Sequence, residues 1–224
     1  MLIMAHAGIT LGSAYLLERV FRFRLKNNKQ ADYDSIHIEN SQALSTEHVN
    51  VSNTKVLSST ASSCMVNETT TFRIDYRFIL LGSILPDLID KPVGNIFFVQ
   101  IFNNGRIFSH TLLFLLLAIL IAILIFRTRM KLWGFCIAFG VLVHLLLDAM
   151  WLEPVTLFWP ILGFSFYVYP EMGLKLWING MLYDLIVRSD IYISEIMGAV
   201  ILIFFTVKLV IEKKVKKFFR SGDL

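Results

Sequence analysis

The hydrophobic residues of this chain fall into long apolar runs that short clusters of charged residues separate. Three runs, at residues 110–126, 132–151 and 191–211, are close to the roughly 17–25 residues that a membrane-spanning helix needs. Two weaker runs precede them, at residues 2–20 and 76–89. The pattern predicts an all-α integral membrane protein that is built as a bundle of about five transmembrane helices.

Two segments depart from this pattern. Residues 26–72 are polar and rich in Ser, Thr and Asn, which predicts a disordered loop inserted into a single membrane domain that covers residues 1–224. Residues 153–190 are aromatic and interrupted by prolines, which predicts interfacial helices after the fourth transmembrane helix. This segment could be a lid over a lipid-facing site or an anchor at the membrane interface, and both interpretations stay open.

Composition agrees with a membrane protein. The 224 residues are 56% apolar, with a mean hydropathy of +0.64, whereas ordinary soluble domains have about 45–50% apolar residues. The net charge is +4, but the basic residues cluster at the ends of the apolar runs, so nucleic-acid binding is not expected. The two cysteines, Cys64 and Cys136, do not indicate a disulfide framework.

The basic residues also predict the orientation in the membrane. Most of the 21 Lys and Arg residues lie in the segments 19–77, 127–131 and 208–220. Loops rich in Lys and Arg stay on the cytoplasmic side. We therefore expect a multi-pass protein of the cytoplasmic membrane whose C-terminus is cytoplasmic and whose N-terminus is outside.

His144 and Asp148 are the most informative polar residues, because they interrupt an otherwise apolar run. Residues four apart on a helix lie on one face, and ionisable groups inside a membrane are costly and usually mark function. An imidazole and a carboxylate at this spacing are suited to a metal ion such as Zn²⁺. A hydrogen bond that ties two helices together is the structural alternative.

Other ionisable residues fall at the same predicted outer face of the membrane. His6 opens the first helix, Asp87 and Asp90 close the second, and His110 opens the third. The basic residues alone set the orientation, so this convergence is independent support for a metal site. The predicted metal ligands are His6, Asp87, His110, His144 and Asp148. Histidine and carboxylate ligands without cysteine favour Zn²⁺, Mn²⁺ or Fe²⁺, and Zn²⁺ is the first choice.

Four short motifs occur in an order that resembles a known family. They are Met4-Ala-His6-Ala-Gly8, Gly82-Ser-Ile-Leu-Pro-Asp87-Leu-Ile-Asp90, Arg106-Ile-Phe-Ser-His110-Thr111 and His144-Leu-Leu-Leu-Asp148. With them the chain resembles the YdjM-like membrane-bound metal-dependent hydrolases, also described as LexA-binding, inner-membrane-associated proteins. It is more distantly similar to zinc-dependent phospholipase C proteins. Gly105 and Ile107 depart from the family, since many relatives have His before the Arg and Gly after it.

The resemblance implies a hydrolase that uses water activated by a bound metal ion. The depth of the site suggests a lipid or phosphoester substrate. Asp90 and Glu153 are catalytic candidates as general bases, and Arg106 is a candidate for holding an anionic group such as a phosphate. Asp90 could equally orient a ligand, and Arg106 could equally anchor the protein at the lipid headgroups.

Two other classes of function stay open. The same His and Asp residues could serve a membrane transporter or ion-conducting protein, which would carry ionisable residues through the depth of the membrane. The chain could also be a non-enzymatic regulatory membrane protein that uses residues 26–72 for docking. The lipid bilayer is an expected partner in each case, and the oligomeric state stays open.

Overall fold

The computed structural model describes residues 3–46, 74–168 and 186–222, together with 179–180 and 182–183, and most of these residues are helical, with turns and irregular backbone between the helices. The predicted all-α class is confirmed for these residues, and none of them lies in a strand. The α-helices are α1 (Ile3–Thr46), α2 (Tyr76–Pro92), α3 (Leu112–Arg129), α4 (Trp133–Leu147), α5 (Pro154–Leu157), α6 (Ser189–Ile211) and α7 (Val215–Ser221). A π-helical turn, Val93–Phe97, extends α2, and a 3-10 turn, Met150–Leu152, follows α4.

The chain divides into two compact units, where the sequence predicted one domain. The first unit consists of Met1–Leu16 and Arg73–Leu224 and contains every candidate site residue, and the second is Leu17–Phe72. Residues 26–46 are helical, although the sequence predicted a disordered loop from residue 26. A helix that has already started can be extended without a new nucleation cost. The rest of that predicted loop lies outside the described residues.

Helices α2 and α4 pack with their backbones in direct contact. Gly82 on α2 lies against the backbone of Ile137, and Gly140 on α4 lies against the backbone of Ile79. A side chain at either glycine would clash, and small residues of this kind allow membrane helices to approach closely. The contact fixes the register of the two helices, so the following turn of α2 lies beside the turn of α4 that carries His144.

Helix α1 packs on α6 in a similar way. Gly8 of α1 lies against the backbone of Gly198 on α6. One turn away, the backbone N–H of Ala5 donates a hydrogen bond of 3.2 Å to Oε2 of the buried Glu195. This bond satisfies one of the N–H groups that the first turn of a helix leaves without a partner. The contact therefore fixes the turn of α1 that carries His6.

Two of the described helices are long and apolar enough to cross a membrane. They are α3 (Leu112–Arg129, mean hydropathy 2.5) and the segment Ile191–Ile211 of α6 (mean hydropathy 2.1). Only 11% and 22% of these segments are buried, so their apolar side chains face outward and not into a protein core. Helix α4 is apolar but has 15 residues, and α2 has 17.

The predicted interfacial segment at residues 153–190 begins with a short helix. It starts with α5 and continues as turns and irregular backbone to residue 168. Beyond that point, residues 169–178, 181 and 184–185 lie outside the described residues.

Candidate metal centre

Four buried side chains meet where α2 and α4 end and α3 begins. Asp87 comes from α2, His110 from the segment before α3, His144 from α4, and Asp148 is the C-cap residue of α4. One ligand atom from each residue lies within 4.8 Å of the others, and all four side chains are buried. The group could hold a metal ion, as the sequence predicted for these residues.

The distances between the donor atoms suit such an ion. Nε2 of His110 lies 3.1 Å from Nε2 of His144. Oδ1 of Asp87 lies 3.6 and 3.9 Å from these nitrogens, and Oδ2 of Asp148 lies 3.5 and 4.0 Å from them. Ligands at about 2.0–2.2 Å from a tetrahedral zinc ion are about 3.3–3.6 Å apart. Small side-chain adjustments would therefore bring all four donors to one ion.

Hydrogen bonds fix which ring nitrogen of each histidine faces the group. Nδ1 of His110 lies 2.7 Å from Oδ2 of Asp90, and Nδ1 of His144 lies 2.7 Å from the carbonyl oxygen of Ser83. A carboxylate and a carbonyl oxygen only accept hydrogen bonds, so both histidines carry a proton on Nδ1. Metal-ligating histidines are usually held in this way, with the other ring N–H donated to a carboxylate or carbonyl.

The two Nε2 atoms therefore meet with their lone pairs directed into the same space. In the neutral rings of His110 and His144, both nitrogens are hydrogen-bond acceptors, and they lie 3.1 Å apart. Two acceptors at this distance repel each other unless a proton or a metal ion lies between them. The carboxylates of Asp87 and Asp148 add further lone pairs to the same space, so the donor set fits a cation.

His6 lies at the edge of this group. Its ring stacks on the ring of His144 with the centroids 4.1 Å apart, and its Nε2 lies 3.2 Å from Oδ1 of Asp148. The side chain is 1% exposed, and neither ring nitrogen forms a hydrogen bond of good geometry with any of the described residues. A buried polar atom without a partner costs about 1–3 kcal/mol. A metal ion beside Asp148 would give this predicted ligand the partner that it lacks.

The charged groups around the two imidazoles also carry more negative than positive charge, and a divalent cation would balance this excess. Among the described residues, four carboxylates and two cations form the ion pairs at and next to the rings: Asp87, Asp90, Asp148, Glu153, Lys91 and Arg106. With both histidines neutral, these described groups have two negative charges in excess. Burying uncompensated charge is costly, so a bound divalent ion would stabilise this end of the helices.

Asp90 is fully buried and holds the segment that presents His110. Its carboxylate accepts hydrogen bonds from the backbone N–H groups of Ile107 at 2.8 Å, Ser109 at 2.9 Å and His110 at 3.2 Å, besides the bond from the His110 ring. Directly afterwards, Thr111 caps α3 through a 3.1 Å bond from the backbone N–H of Phe114. These contacts favour the role of orienting the His110 ligand, which the sequence left open for Asp90.

Arg106 and Glu153 form an ion-paired chain on Asp148. Nε of Arg106 lies 3.1 Å from Oδ2 of Asp148, and its Nη1 donates a 2.9 Å hydrogen bond to Oε1 of Glu153. The Arg106 and Glu153 side chains are 31% and 32% exposed, in contrast to the buried ligands. Arg106 therefore contacts one of the candidate metal ligands directly. Glu153 is connected to the group only through Arg106 and lies on its more exposed side.

Lys91 is a neighbour of the centre that the sequence analysis did not single out. Its Nζ lies 2.6 Å from Oδ2 of Asp87, four residues earlier on α2. The signal was present in the sequence, because a Lys four residues after an Asp on a helix is placed to form an ion pair.

A cavity of about 840 Å³ opens beside Glu153. Most of its lining is apolar and comes from the turns on either side of α5. The lining includes Leu152, Glu153, Val155, Phe166, Tyr167 and Val168. A mainly apolar cavity thus begins at the carboxylate that is paired with Arg106.

Comparison with known proteins gives a family match. The family model described as "YdjM inner membrane protein" matches residues 51–215. This range covers about three quarters of the chain and contains every candidate site residue except His6. No curated protein and no solved structure matches the chain.

Proposed function

The chain belongs to the YdjM inner membrane protein family, and from its buried His and Asp group we propose a membrane-bound, metal-dependent hydrolase that acts on a lipid or phosphoester. Family membership and the buried group are both compatible with a metal-dependent membrane protein. The observation that carries the proposal is the pair of Nε2 atoms, 3.1 Å apart with both Nδ1 positions already bound to acceptors. Such a pair needs a proton or a metal ion between its lone pairs, and a metal ion would also engage the carboxylates of Asp87 and Asp148.

The proposed ligands are Asp87, His110, His144 and Asp148, with His6 directed at Asp148. When bound, a divalent ion, for which Zn²⁺ is our first choice, supplies a water whose pKa is lowered toward about 7 and polarises the scissile oxygen. The protein's own contribution is to hold the imidazoles in one tautomer and to exclude water from their other sides.

Glu153 is the proposed proton acceptor. A general base must be able to contact the reacting water. Glu153 is partly exposed, and it is paired with Arg106, which is paired in turn with the candidate ligand Asp148. Asp90 cannot easily take this role, because both of its oxygens accept hydrogen bonds inside the protein. We assign Asp90 to the orientation of His110 and Arg106 to an anionic group of the substrate.

The proposed topology has five crossings, a cytoplasmic C-terminus and the metal centre at the outer face of the cytoplasmic membrane. Two membrane-length helices and the family match support a membrane protein. The parallel register of α2 and α4 supports one common face, because Asp87 and Asp148 lie near the ends of these helices and reach the same ion site. The basic residues that follow α6 support the cytoplasmic position of the C-terminus.

The first experiment measures bound metal. The protein is purified without chelator and compared with the double variant His144→Ala/Asp148→Ala by elemental analysis. We expect about one transition-metal ion per chain, lost in the double variant. A control variant, Glu18→Ala/Glu212→Ala, removes two carboxylates that lie outside the site and should keep the metal. Full retention of metal in the site variant would contradict the assignment.

The second experiment tests the reaction. Phospholipids and soluble phosphoesters are offered to the metal-loaded protein, and the release of product is compared between the wild type and the site variant. We expect metal-dependent hydrolysis that the site variant lacks. Metal or proton flux in proteoliposomes without any hydrolysis would contradict the proposal and favour a transporter.

A further inference from the structure

Two cations flank the metal centre, one on each ligand carboxylate. Lys91 contacts Oδ2 of Asp87, whose Oδ1 faces the histidines, and Arg106 contacts Asp148. The Lys91 and Arg106 side chains are 43% and 31% exposed, whereas the histidines between them are fully buried. Positive charge therefore lies at the solvent-facing rim of a centre whose interior carries the carboxylates.

The two cations belong to one neighbourhood. A Cβ at Gly105, the residue before Arg106, would lie 3.3 Å from Cγ of Lys91. The missing side chain at this position therefore leaves room for the Lys91 stem to pass beside the segment that carries Arg106.

Arg106 also connects the centre with the cavity. Its side chain binds Glu153, which lines the cavity, and its backbone N–H donates a 2.8 Å bond to Oδ1 of Asn104. The side-chain amide of the buried Asn104 donates in turn to the carbonyl oxygen of Tyr167, another lining residue, at 2.8 Å. The charged rim and the apolar cavity are thus held in one hydrogen-bonded framework.

Resting on the proposed function, we infer that Lys91 and Arg106 bind the phosphate group of an anionic amphiphile whose hydrocarbon chain enters the cavity beside Glu153. A guanidinium binds phosphate with paired hydrogen bonds, and an ammonium adds a point charge. Arg106 already donates a hydrogen bond to a carboxylate oxygen of Glu153, so its guanidinium is placed to donate to an anionic oxygen on this side. The cavity volume of about 840 Å³ falls within the range of about 300–1,000 Å³ that is typical of ligand sites.

A binding experiment tests this inference without requiring hydrolysis. The full-length protein in phosphatidylcholine nanodiscs is titrated with three probes, and partition into empty nanodiscs is subtracted. Decyl phosphate carries both the head and the chain, decyl glucoside carries the chain without charge, and inorganic phosphate carries the head alone. We expect decyl phosphate to bind at least tenfold more tightly than either of the other two probes.

The variants Lys91→Gln and Arg106→Gln separate the charged rim from general attraction to the protein. Each should weaken decyl phosphate about tenfold and leave decyl glucoside unchanged, because each removes one charge-assisted contact. Lys208→Gln, which removes a cation in the last turn of α6 beside Tyr15, is the matched control and should have no effect. Since both cations contact a ligand carboxylate, affinities are compared at equal zinc occupancy. Arg106→Lys keeps the charge but loses the paired hydrogen bonds, so it should retain more phosphate affinity than Arg106→Gln and less than the wild type.

A variant in the cavity lining tests whether the hydrocarbon chain of the ligand binds in the cavity. Val155→Trp puts a large side chain into the lining, so decyl phosphate should bind no better than inorganic phosphate, whose affinity should stay the same. Unchanged binding of decyl phosphate in both rim variants would overturn the inference. Equal wild-type affinity for inorganic and decyl phosphate would also overturn it, in favour of a site for free phosphate.

The result of this binding experiment can be distinguished from the result of the hydrolysis experiment that tests the proposed function. If no substrate is hydrolysed but both rim variants weaken decyl phosphate, the hydrolase proposal fails and the phosphate site stands. If hydrolysis depends on metal but the rim variants bind decyl phosphate as the wild type does, the hydrolase proposal stands and the phosphate site fails.

Discussion

At the scale of single residues, the hydrogen bonds of Asp90 and Glu153 separate two carboxylates that look equivalent in the sequence. Asp90 is fully buried and accepts bonds from three backbone N–H groups and from the ring of His110. Glu153 is partly exposed and bonded to Arg106. The two should therefore respond differently to the same isosteric change from carboxylate to amide.

Asp90→Asn should weaken metal binding. The amide keeps the shape of the side chain, but it no longer offers a charged acceptor to Nδ1 of His110, so the ring loses the partner that fixes its tautomer. Loss of such a partner typically lowers metal affinity about 10–100-fold. Competition with a zinc chelator of known affinity measures the change. An unaltered affinity would show that Asp90 does not orient the ligand.

Glu153→Gln should leave metal binding intact and slow the reaction. An amide cannot accept the proton of the attacking water, and general base catalysis contributes about 10²–10⁴-fold to the rate. We expect kcat to fall by at least about a hundredfold at saturating metal, with the zinc content of the wild type. A variant with wild-type kcat would remove Glu153 from the proposed chemistry.

At the scale of helices, the contact between α2 and α4 sets the register of the His and Asp group that could hold a metal ion. Gly140→Ala would place a Cβ against the backbone of Ile79 and Gly82, where no flexible side chain can move aside. We expect a destabilisation of about 1–3 kcal/mol and a loss of bound metal, because the helices must separate. Thermal unfolding in detergent and elemental analysis measure both effects.

Gly180→Ala is the matched control for this substitution. A Cβ at Gly180, also in a helical segment, has no atom of the described residues within 4 Å, so the same change should leave stability and metal content as they are. Equal behaviour of the two alanine variants would mean that the backbone contact of Gly140 does not maintain the centre.

Much of the helical framework could be predicted from the sequence, and the differences have physical causes. The apolar runs that became α3, α4 and α6 were predicted within about four residues at each end. Helix α1 extends to Thr46, beyond the predicted end at residue 20, because its later part is polar and carries no apolar pattern for periodicity to detect.

The four-residue metal group was also predictable, but the contacts around it were not. His144 and Asp148 stand out as polar residues in an apolar run, and the charge rule brings Asp87 and His110 to the same end. The role of Ser83 depends on the register between helices, for which one sequence contains no direct signal. The spacing of Asp87 and Lys91 allows an ion pair, but it does not show that the pair lies beside the His and Asp group.

At the scale of the whole molecule, orientation in the membrane decides which compartment the site faces. The proposed topology puts Lys217 in the cytoplasm. Lys217→Cys in a Cys64→Ser/Cys136→Ser background should react with a membrane-impermeant maleimide only after the membrane is opened, as assayed by a mass shift on a gel. Labelling in intact cells would invert the topology and place the metal centre on the cytoplasmic side.

Bound metal should also stabilise the molecule as a whole, because its ligands come from α2, the segment before α3, and α4 with its cap. The unfolded chain does not gather these side chains, so binding favours the folded state by about 4 kcal/mol when metal exceeds its Kd a thousandfold. For a chain of this size, a chelator should then lower Tm by roughly 8–16 °C. His144→Ala/Asp148→Ala should show no such shift, since it has no site to empty. A chelator that lowers Tm equally in both proteins would show that the stabilising metal binds elsewhere, and the buried His and Asp group would then be held by proton-mediated hydrogen bonds alone.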